Sequence, residues 1–260
     1  MTSRPSKNPW IKYLKPNPKA QLRLFCFPYA GGSAGVFRSW PDSLPPTVEV
    51  CAVELPGRGT RIKDAPFTRM EPLVEAIALA LLPELDKPFA FFGHSMGALV
   101  SFELARLLRR SQAGARERGD RQLSHLSISG RSAPQIPDPE PPIHALPEAE
   151  FVEKLRCYNG TPSEVLANPE LMQLFLPILR ADFELIETYV YKNEPAFDFP
   201  ITAFGGLSDF KASREDLSAW DRHTTAAFDL RMLPGDHFFL HSNEALLLQS
   251  ITRQLQQVRS

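Results

Sequence analysis

A serine lies at the centre of a short glycine-containing motif, directly after a run of apolar residues. The motif reads Gly-His-Ser-Met-Gly over residues 93–97, and Phe-Ala-Phe-Phe at 89–92 precedes it. A strand, a tight turn and a helix in this order form a nucleophile elbow, which exposes the serine at the strand end. A Cβ two residues before or after the serine would collide with neighbouring backbone. The pattern predicts that Ser95 is a nucleophile; the alternative is a serine that only shapes a turn.

A serine hydroxyl needs a nearby base to attack a carbonyl at neutral pH. His237 follows the apolar run at 230–233 through a Pro-Gly-Asp turn and precedes the last predicted helix, which is where such a base belongs. His241 is the alternative, and His94, inside the serine motif, is expected to pack. The other three are expected within a strand, on the surface and in solvent, respectively: His125, His144 and His223.

The base in turn needs a carboxylate that orients its imidazole ring. Asp209 follows the apolar run at 201–204 through Gly-Gly-Leu-Ser, so it lies at the end of a predicted strand. Asp138, on the segment after the run at 123–129, is the alternative, although prolines surround it. Asp236 is expected to shape the turn before the histidine. We therefore predict Asp209 as the third member of a Ser-His-Asp triad.

An oxyanion formed on a carbonyl carbon needs two backbone N–H donors. One is expected from Met96, the residue after the nucleophile, and the other from the loop after the first predicted strand. That loop reads Pro-Tyr-Ala-Gly-Gly-Ser over 28–33, and Ala30 is the predicted donor. An ordinary glycine-rich turn is the alternative. A phosphate-binding loop is disfavoured because no Gly-Lys-Ser/Thr follows.

These residues must be positioned by alternating strands and helices. Apolar runs predict strands, and 3.6-residue periodicity predicts helices. The strands are expected at 22–27, 48–55, 89–92, 123–129, 201–204 and 230–233, and helices at 71–85, 97–110 and 242–257. Such alternation indicates a mostly parallel sheet covered by helices on both faces. We expect one domain over 1–260, with an irregular arm over the first 20 residues and an exposed loop at 111–122.

The prolines mark an interruption of this alternation. Six of the 25 lie within 134–147, and only helical patterns follow until about residue 195, one of them opened by Asn168 and Pro169. We call residues 134–195 the lid, and expect it to move about segments beside 134–147 and at 192–200. Six apolar lid residues are candidates to line an acyl channel, with packing onto the body as the preferred alternative: Phe151, Leu171, Leu174, Phe175, Phe183 and Ile186.

Composition excludes several classes of partner. Lys and Arg total 29 against 30 Asp and Glu, which disfavours nucleic-acid and anionic-membrane surfaces. The first 20 residues lack the apolar stretch of a secretory signal, and no apolar run is long enough to span a membrane. The three cysteines have no metal-like spacing, and buried free thiols indicate a reducing cytoplasmic setting. No metal is expected, and a monomer is expected.

Five segments together resemble type II thioesterases of polyketide and nonribosomal peptide assembly lines. They read FCFPYAGGSA, VELPGRGTR, FFGHSMGA, GGLSD and GDHFFL, in this order, and the resemblance spans residues 20–255. It implies an α/β-hydrolase fold with a helical lid. It also implies hydrolysis of acyl groups from the phosphopantetheine arm of acyl or peptidyl carrier proteins, which bind transiently, in editing or release. The family's catalytic residues correspond to Ser95, Asp209 and His237, and its oxyanion donors to Ala30 and Met96.

The resemblance implies no cofactor of the enzyme's own, because the substrate carries the phosphopantetheine. Two other functions stay open: a lid-bearing carboxylesterase or lipase on small acyl esters, and a non-catalytic binding protein of hydrolase fold. A dehalogenase is excluded because it needs aspartate at the position of Ser95. Arg58, Arg61 and Lys63 are candidates to dock an acidic carrier, although a solvated loop is the favoured alternative.

Overall fold

Seven strands form one sheet in the part of the chain that the computed structural model describes, residues 8–112, 122–158, 160 and 168–257. The order across the sheet is β1-β3-β2-β4-β5-β6-β7. The first pairing, β1 with β3, is antiparallel, and the other five are parallel. The strands are β1 Ile11–Tyr13, β2 Leu22–Phe27, β3 Val48–Val53, β4 Phe89–His94, β5 Leu123–Ser129, β6 Ile201–Gly206 and β7 Phe228–Leu233. The predicted α/β class with a mostly parallel sheet is confirmed.

Helices connect these strands and cover the sheet. The α-helices are α1 Trp40–Ser43, α2 Met70–Leu81, α3 Met96–Gln112, α4 Glu148–Tyr158, α5 Pro169–Glu187, α6 Arg214–Ser218, α7 Phe239–Ser242 and α8 Glu244–Gln257. Short 3-10 helices occur at Ala34–Phe37, Gly59–Arg61, Leu82–Glu84 and Ala219–His223. None of the described helices has the length and apolar character needed to cross a bilayer.

The central strands are apolar on both faces, and each face has its own helical cover. Phe25 and Phe91 lie in the core shared with α2 and α3. Leu24 and Phe92 lie in a second core, shared with α1 and α8. Alternate residues of a strand point to opposite faces, so a continuous apolar run becomes a strand buried on both sides. This burial holds the carboxyl ends of β2, β4 and β6 in fixed relative positions, and parallel pairing with β6 holds β7 beside them.

The first strand corrects one prediction. The segment was expected to be part of an irregular arm, but Ile11–Tyr13 pairs with the outer edge of β3, with Ile11 opposite Val53. Ile11 is buried against the first core. Three residues are too few for an alternating pattern to be visible in sequence. The pairing satisfies backbone groups that would otherwise be an open sheet edge.

The chain leaves the sheet between β5 and β6. Residues 134–147 contain no helix or strand, as their prolines predict. The side chain of Asn168 caps α5 by accepting hydrogen bonds from the N–H groups of Glu170 and Leu171. Six residues form a small core of their own: Ile143, Phe151, Leu155, Met172, Leu176 and Leu179. The predicted loop at 111–122 cannot be compared, because 113–121 lie outside the described residues.

Candidate active site

The turn between β4 and α3 has the strained geometry of a nucleophile elbow. Ser95 has φ of 53°, the sole positive value at a non-glycine residue in the described chain. A Cβ on Gly93 would lie 2.2 Å from the carbonyl O of Gly97, and one on Gly97 would lie 2.1 Å from that of Phe27. The N–H of Ser95 donates to the carbonyl of Ser129 at 2.8 Å. The close approach of β2, β4 and β5 therefore fixes the turn.

The predicted base and acid form a hydrogen-bonded pair. Nδ1 of His237 lies 2.8 Å from Oδ2 of Asp209, whose side chain is fully buried. Oδ1 of the same carboxylate accepts the N–H of Lys211 at 2.8 Å. When Nδ1–H donates to the carboxylate, Nε2 of a neutral ring carries the free lone pair. The histidine is thus held in the tautomer that can take a proton. Asp138, the alternative acid, is exposed and accepts only the nearby N–H of Glu140 among its described hydrogen bonds.

The base lies beside the elbow. Its ring centroid is 5.1 Å from that of His94, the residue before the serine. A Cβ on Gly130, which follows β5, would lie 3.3 Å from Cε1 of His237. The described chain shows no hydrogen bond from the hydroxyl of Ser95. In unliganded enzymes such bonds are often long and tighten when substrate binds.

His94 packs, as predicted, and it packs against the base. The ring is fully buried, and its Nδ1 lies 2.9 Å from Oγ of Ser129. Burial first, and the neighbouring charge of His237 second, hold the pKa of His94 well below its usual value. This ring therefore stays neutral at physiological pH and adds no positive charge beside the base.

Two other histidines differ from their predictions. His223 was expected in solvent but is buried, with Nε2 at 2.7 Å from Oε1 of Gln135. His144 was expected on the surface but is half-buried, with Nδ1 at 2.5 Å from Oε2 of Glu187. Both partners are distant in sequence, so local patterns carry no signal for them. In His241, the alternative base, Nε2 lies 3.0 Å from the hydroxyl oxygen of Tyr29.

The remaining sequence expectations about polar groups are simpler. His125 lies in β5 and contacts Oγ1 of Thr202 through Nε2 at 3.1 Å. Asp236 accepts the N–H of Phe238 and so shapes the turn, as expected. Cys26 and Cys51 are free and buried, whereas Cys157 is free and exposed.

Two backbone amides near the elbow, those of Ala30 and Met96, remain available to a substrate, whereas the two amides that follow Ala30 are already bonded. The N–H of Gly31 donates to Oδ2 of Asp182 at 2.7 Å, and that of Gly32 to the carbonyl of Tyr29 at 2.9 Å. Within the described residues, the amides of Ala30 and Met96 have no acceptor. Met96 is also the first residue of α3, where the helix dipole favours negative charge. These two amides are the candidates for holding an oxyanion.

The cationic loop after β3 corrects another prediction. Arg58 was expected on a solvated loop or a docking surface, but it is only 3% exposed and forms a two-pronged ion pair with Asp182 of α5, at 2.8 and 2.7 Å. Arg61 is half-buried, with its guanidinium over the Trp10 ring, and Lys63 is exposed. Asp182 was not among the predicted site residues, but the sequence carries a signal for it, since it is a lone aspartate on the apolar stripe of α5.

The six candidate channel residues do not share one environment. Phe151 is fully buried, and its ring meets that of Phe183 edge-on at 5.8 Å. Phe175 packs with them, whereas Ile186 packs against the main core. Leu171 and Leu174 are 37% and 48% exposed. Packing accounts for the three phenylalanines and Ile186, and the two exposed leucines remain candidates for contact with an acyl chain.

A family model described as thioesterase domain matches residues 22–256. Linear gramicidin dehydrogenase LgrE of Brevibacillus parabrevis is 47% identical over 96% of this chain and 94% of its own. Gramicidin S biosynthesis protein GrsT of Aneurinibacillus migulanus is 44% identical over 96% and 95%. The structure of the type II thioesterase BorB from the borrelidin biosynthetic cluster superposes with a TM-score of 0.84, at 34% identity, over 95% and 97%. The range that the family model matches includes Ser95, Asp209 and His237.

Proposed function

This chain belongs to the thioesterase family, and from that membership we propose how it hydrolyses acyl groups held on carrier proteins. The chain is a hydrolase that acts on thioesters, and similar solved structures come from NRPS/PKS pathways, those of colibactin and yersiniabactin. The observation that carries the proposed roles is the Asp209–His237 pair beside the strained elbow of Ser95. A buried carboxylate, an oriented imidazole and a half-buried serine are the three groups that acyl transfer requires.

We propose that Ser95 attacks the thioester carbonyl while His237 takes the hydroxyl proton on Nε2. Asp209 holds the ring in the required tautomer and stabilises the imidazolium. The carbonyl oxygen becomes an oxyanion, which the amides of Ala30 and Met96 bind. Collapse of this intermediate expels the pantetheine sulfur, which leaves with the proton from the imidazolium, and an acyl-serine remains.

Water completes the cycle. His237 takes a proton from a water molecule as its oxygen attacks the acyl-serine carbonyl. The second oxyanion uses the same two amides, and the imidazolium returns its proton to Oγ of Ser95. The free acid leaves. These steps require no cofactor of the enzyme, because the phosphopantetheine enters as part of the substrate.

We further propose a transient complex with an acyl or peptidyl carrier domain. The relatives support this partner, since GrsT is named for gramicidin S biosynthesis and BorB for the borrelidin cluster. The three free cysteines support a reducing compartment, and we propose the cytoplasm. We also propose that residues 134–195 cover the site as a lid on a single catalytic domain, and that the enzyme acts as a monomer.

The experiment compares two substrates with the same acyl chain, one loaded on a holo carrier protein and one as a simple alcohol ester. We expect a larger kcat/KM for the carrier-bound thioester. Equal or faster cleavage of the ester would favour the esterase alternative. The Ser95→Ala variant provides the matched control, and it should cleave neither substrate.

A serine-directed phosphonate addresses the non-catalytic alternative. We expect mass spectrometry of the intact protein to show one adduct, located on the peptide that contains Ser95. The His237→Ala variant should react far more slowly, because the base is missing. An unlabelled Ser95 in folded wild-type protein would indicate a binding protein without catalysis.

A further inference from the structure

One side chain of the lid helix α5 reaches the loop that carries the candidate oxyanion donor. Oδ2 of Asp182 accepts the N–H of Gly31 at 2.7 Å. The same carboxylate pairs with Arg58, whose Nη1 also donates to the carbonyl of Gly32 at 3.2 Å. Loop, ion pair and helix therefore form one hydrogen-bonded unit.

The Arg58–Asp182 pair is buried, and a gain in folding stability does not explain why it is there. Both side chains are only 3% exposed. Taking two charges out of water is costly, and well-packed apolar residues of similar size often replace such a pair without loss of stability. Removing one partner leaves the other as an uncompensated buried charge. A role in positioning the loop accounts for the pair where stability does not.

The bonds fix the loop on both sides of Ala30. Gly32 N–H closes a turn onto the carbonyl of Tyr29, and the Gly31 peptide is held by Asp182. Gly31 has φ of +77°, and a Cβ there would lie 2.7 Å from Cδ2 of Leu179, one turn before Asp182 on α5. The direction of the Ala30 N–H is set by the peptides on either side of it.

We infer that Arg58 and Asp182 are positioning residues, which hold the loop over 28–33 so that the Ala30 N–H points at the developing oxyanion. The inference rests on the proposed acyl-transfer function. It also means that α5 is linked directly to the oxyanion site, so a displacement of this helix displaces the donor. Misplacement of a catalytic group by about 1 Å can lower the rate by about 10²-fold.

A second ion pair on α5 offers a matched comparison. Glu184 lies two residues from Asp182 and binds Arg69 at 2.6 Å, with side-chain exposures of 29% and 53%. This pair also joins the helix to the body. It has no hydrogen bond to the loop among the described residues. If attachment of the helix alone mattered, both pairs would affect catalysis equally.

The experiment uses the full-length enzyme and three variants: Asp182→Asn, the double variant Arg58→Met with Asp182→Leu, and Glu184→Gln. The double variant removes both charges together and so is designed to fold. Readouts are kcat and KM on an acyl-pantetheine thioester and on a p-nitrophenyl ester, and the melting temperature. The inhibition constant of an acyl trifluoromethyl ketone, whose serine adduct carries an oxyanion, is measured beside that of an unreactive acyl-pantetheine amide.

For Asp182→Asn and the double variant we expect a 10- to 100-fold lower kcat on both substrates, with KM changed less than threefold. Binding of the trifluoromethyl ketone should weaken about as much as kcat falls, while binding of the amide stays the same. Glu184→Gln should retain wild-type kcat. A folded double variant with wild-type kcat and ketone affinity would overturn the inference. An equal weakening of binding for the ketone and the amide would also overturn it. So would a loss of kcat in Glu184→Gln as large as that in Asp182→Asn.

Failure of the inference is distinguishable from failure of the proposed function. The inference is read from the ratio of variant to wild-type rates on any acyl substrate. The proposed function is read from the preference of the wild-type enzyme for carrier-bound thioester over ester. Either result can be negative while the other is positive.

Discussion

His237 and Asp209 lie 28 positions apart in the chain, yet their Nδ1 and Oδ2 atoms are 2.8 Å apart. The contact exists because β6 and β7 are parallel neighbours whose carboxyl ends meet at one edge of the sheet. Asp209 follows β6, and His237 follows β7. The N–H of Ser208 donates to the carbonyl of Gly235, which ties the two loops together.

Removing the charge of the acid should impair the base without disturbing the fold. We expect Asp209→Asn to lower kcat by about 10³- to 10⁴-fold, because the amide favours the wrong histidine tautomer, with a small change in KM. Steady-state kinetics on an acyl thioester measure it. The matched control is Asp138→Asn, the exposed alternative, which should retain full activity. Comparable losses in both variants would count against Asp209 as the acid.

Local patterns were sufficient for most strands of the fold. Strand β2 matches its predicted bounds of 22–27, because its apolar run stops at proline and glycine. Strand β4 extends through Gly93 and His94, which were predicted as part of the turn. Strand β1 was missed, since its stability comes from pairing with β3 and not from its own three residues. Pairing partners at a distance leave no local pattern.

The same distinction holds at the site. Ser95, Asp209 and His237 were placed from motif and chain order, and the structure brings the acid and base together. The environments of Arg58 and His223 were predicted wrongly, because each is buried by a partner distant in sequence. Charge and polarity predict exposure, but a satisfied hydrogen bond removes that tendency. The sequence can single out one member of such a pair, but only the folded chain shows which residue is its partner.

The elbow should tolerate no side chain at its second glycine. A Cβ at Gly97 would lie 2.1 Å from the carbonyl of Phe27, which is rigid backbone of β2. We expect Gly97→Ala to lower the free energy of unfolding by about 3 kcal/mol or more. Urea denaturation measures it. Gly35→Ala is the control, since the nearest atom there is Oγ of Ser33 at 3.3 Å, and its change should stay below about 1 kcal/mol.

The two lid helices should differ in hydrogen exchange. Phe151 and Leu155 of α4 pack only within the small lid core, whereas Leu185 of α5 lies in the main core and Asp182 is ion-paired to the body. A helix opens more readily when fewer buried contacts hold it in place. We expect peptides of α4 to exchange faster than the second half of α5, and the latter to approach the rate of β4. Mass spectrometry resolves these peptides. A lid that exchanges as slowly as the sheet throughout would contradict the predicted motion.

Two buried histidines should make the protein sensitive to mild acid. Burial lowers the pKa of His125 to about 4, and burial, with nearby arginines second, lowers that of His223 to about 4. Both pKa values are near 6.5 in the unfolded chain. Below about pH 6.5 the unfolded state binds more protons than the folded state. The stability that the two neutral rings contribute is therefore fully present above about pH 7 and is lost as the pH falls from about 6.5 towards 4. Each ring should cost about 2 kcal/mol between pH 7.5 and 5.2.

A variant can isolate one of these contributions. His125→Gln removes a titrating group, so we expect the difference in unfolding free energy between pH 7.5 and 5.2 to shrink by about 2 kcal/mol, whatever the absolute stability becomes. Thr202→Val is the control, because it removes the hydroxyl that contacts Nε2 of His125 but leaves the ring buried. Its stability should fall by a similar amount at both pH values. An unchanged pH difference in His125→Gln would show that this ring is not held neutral by burial in the folded state.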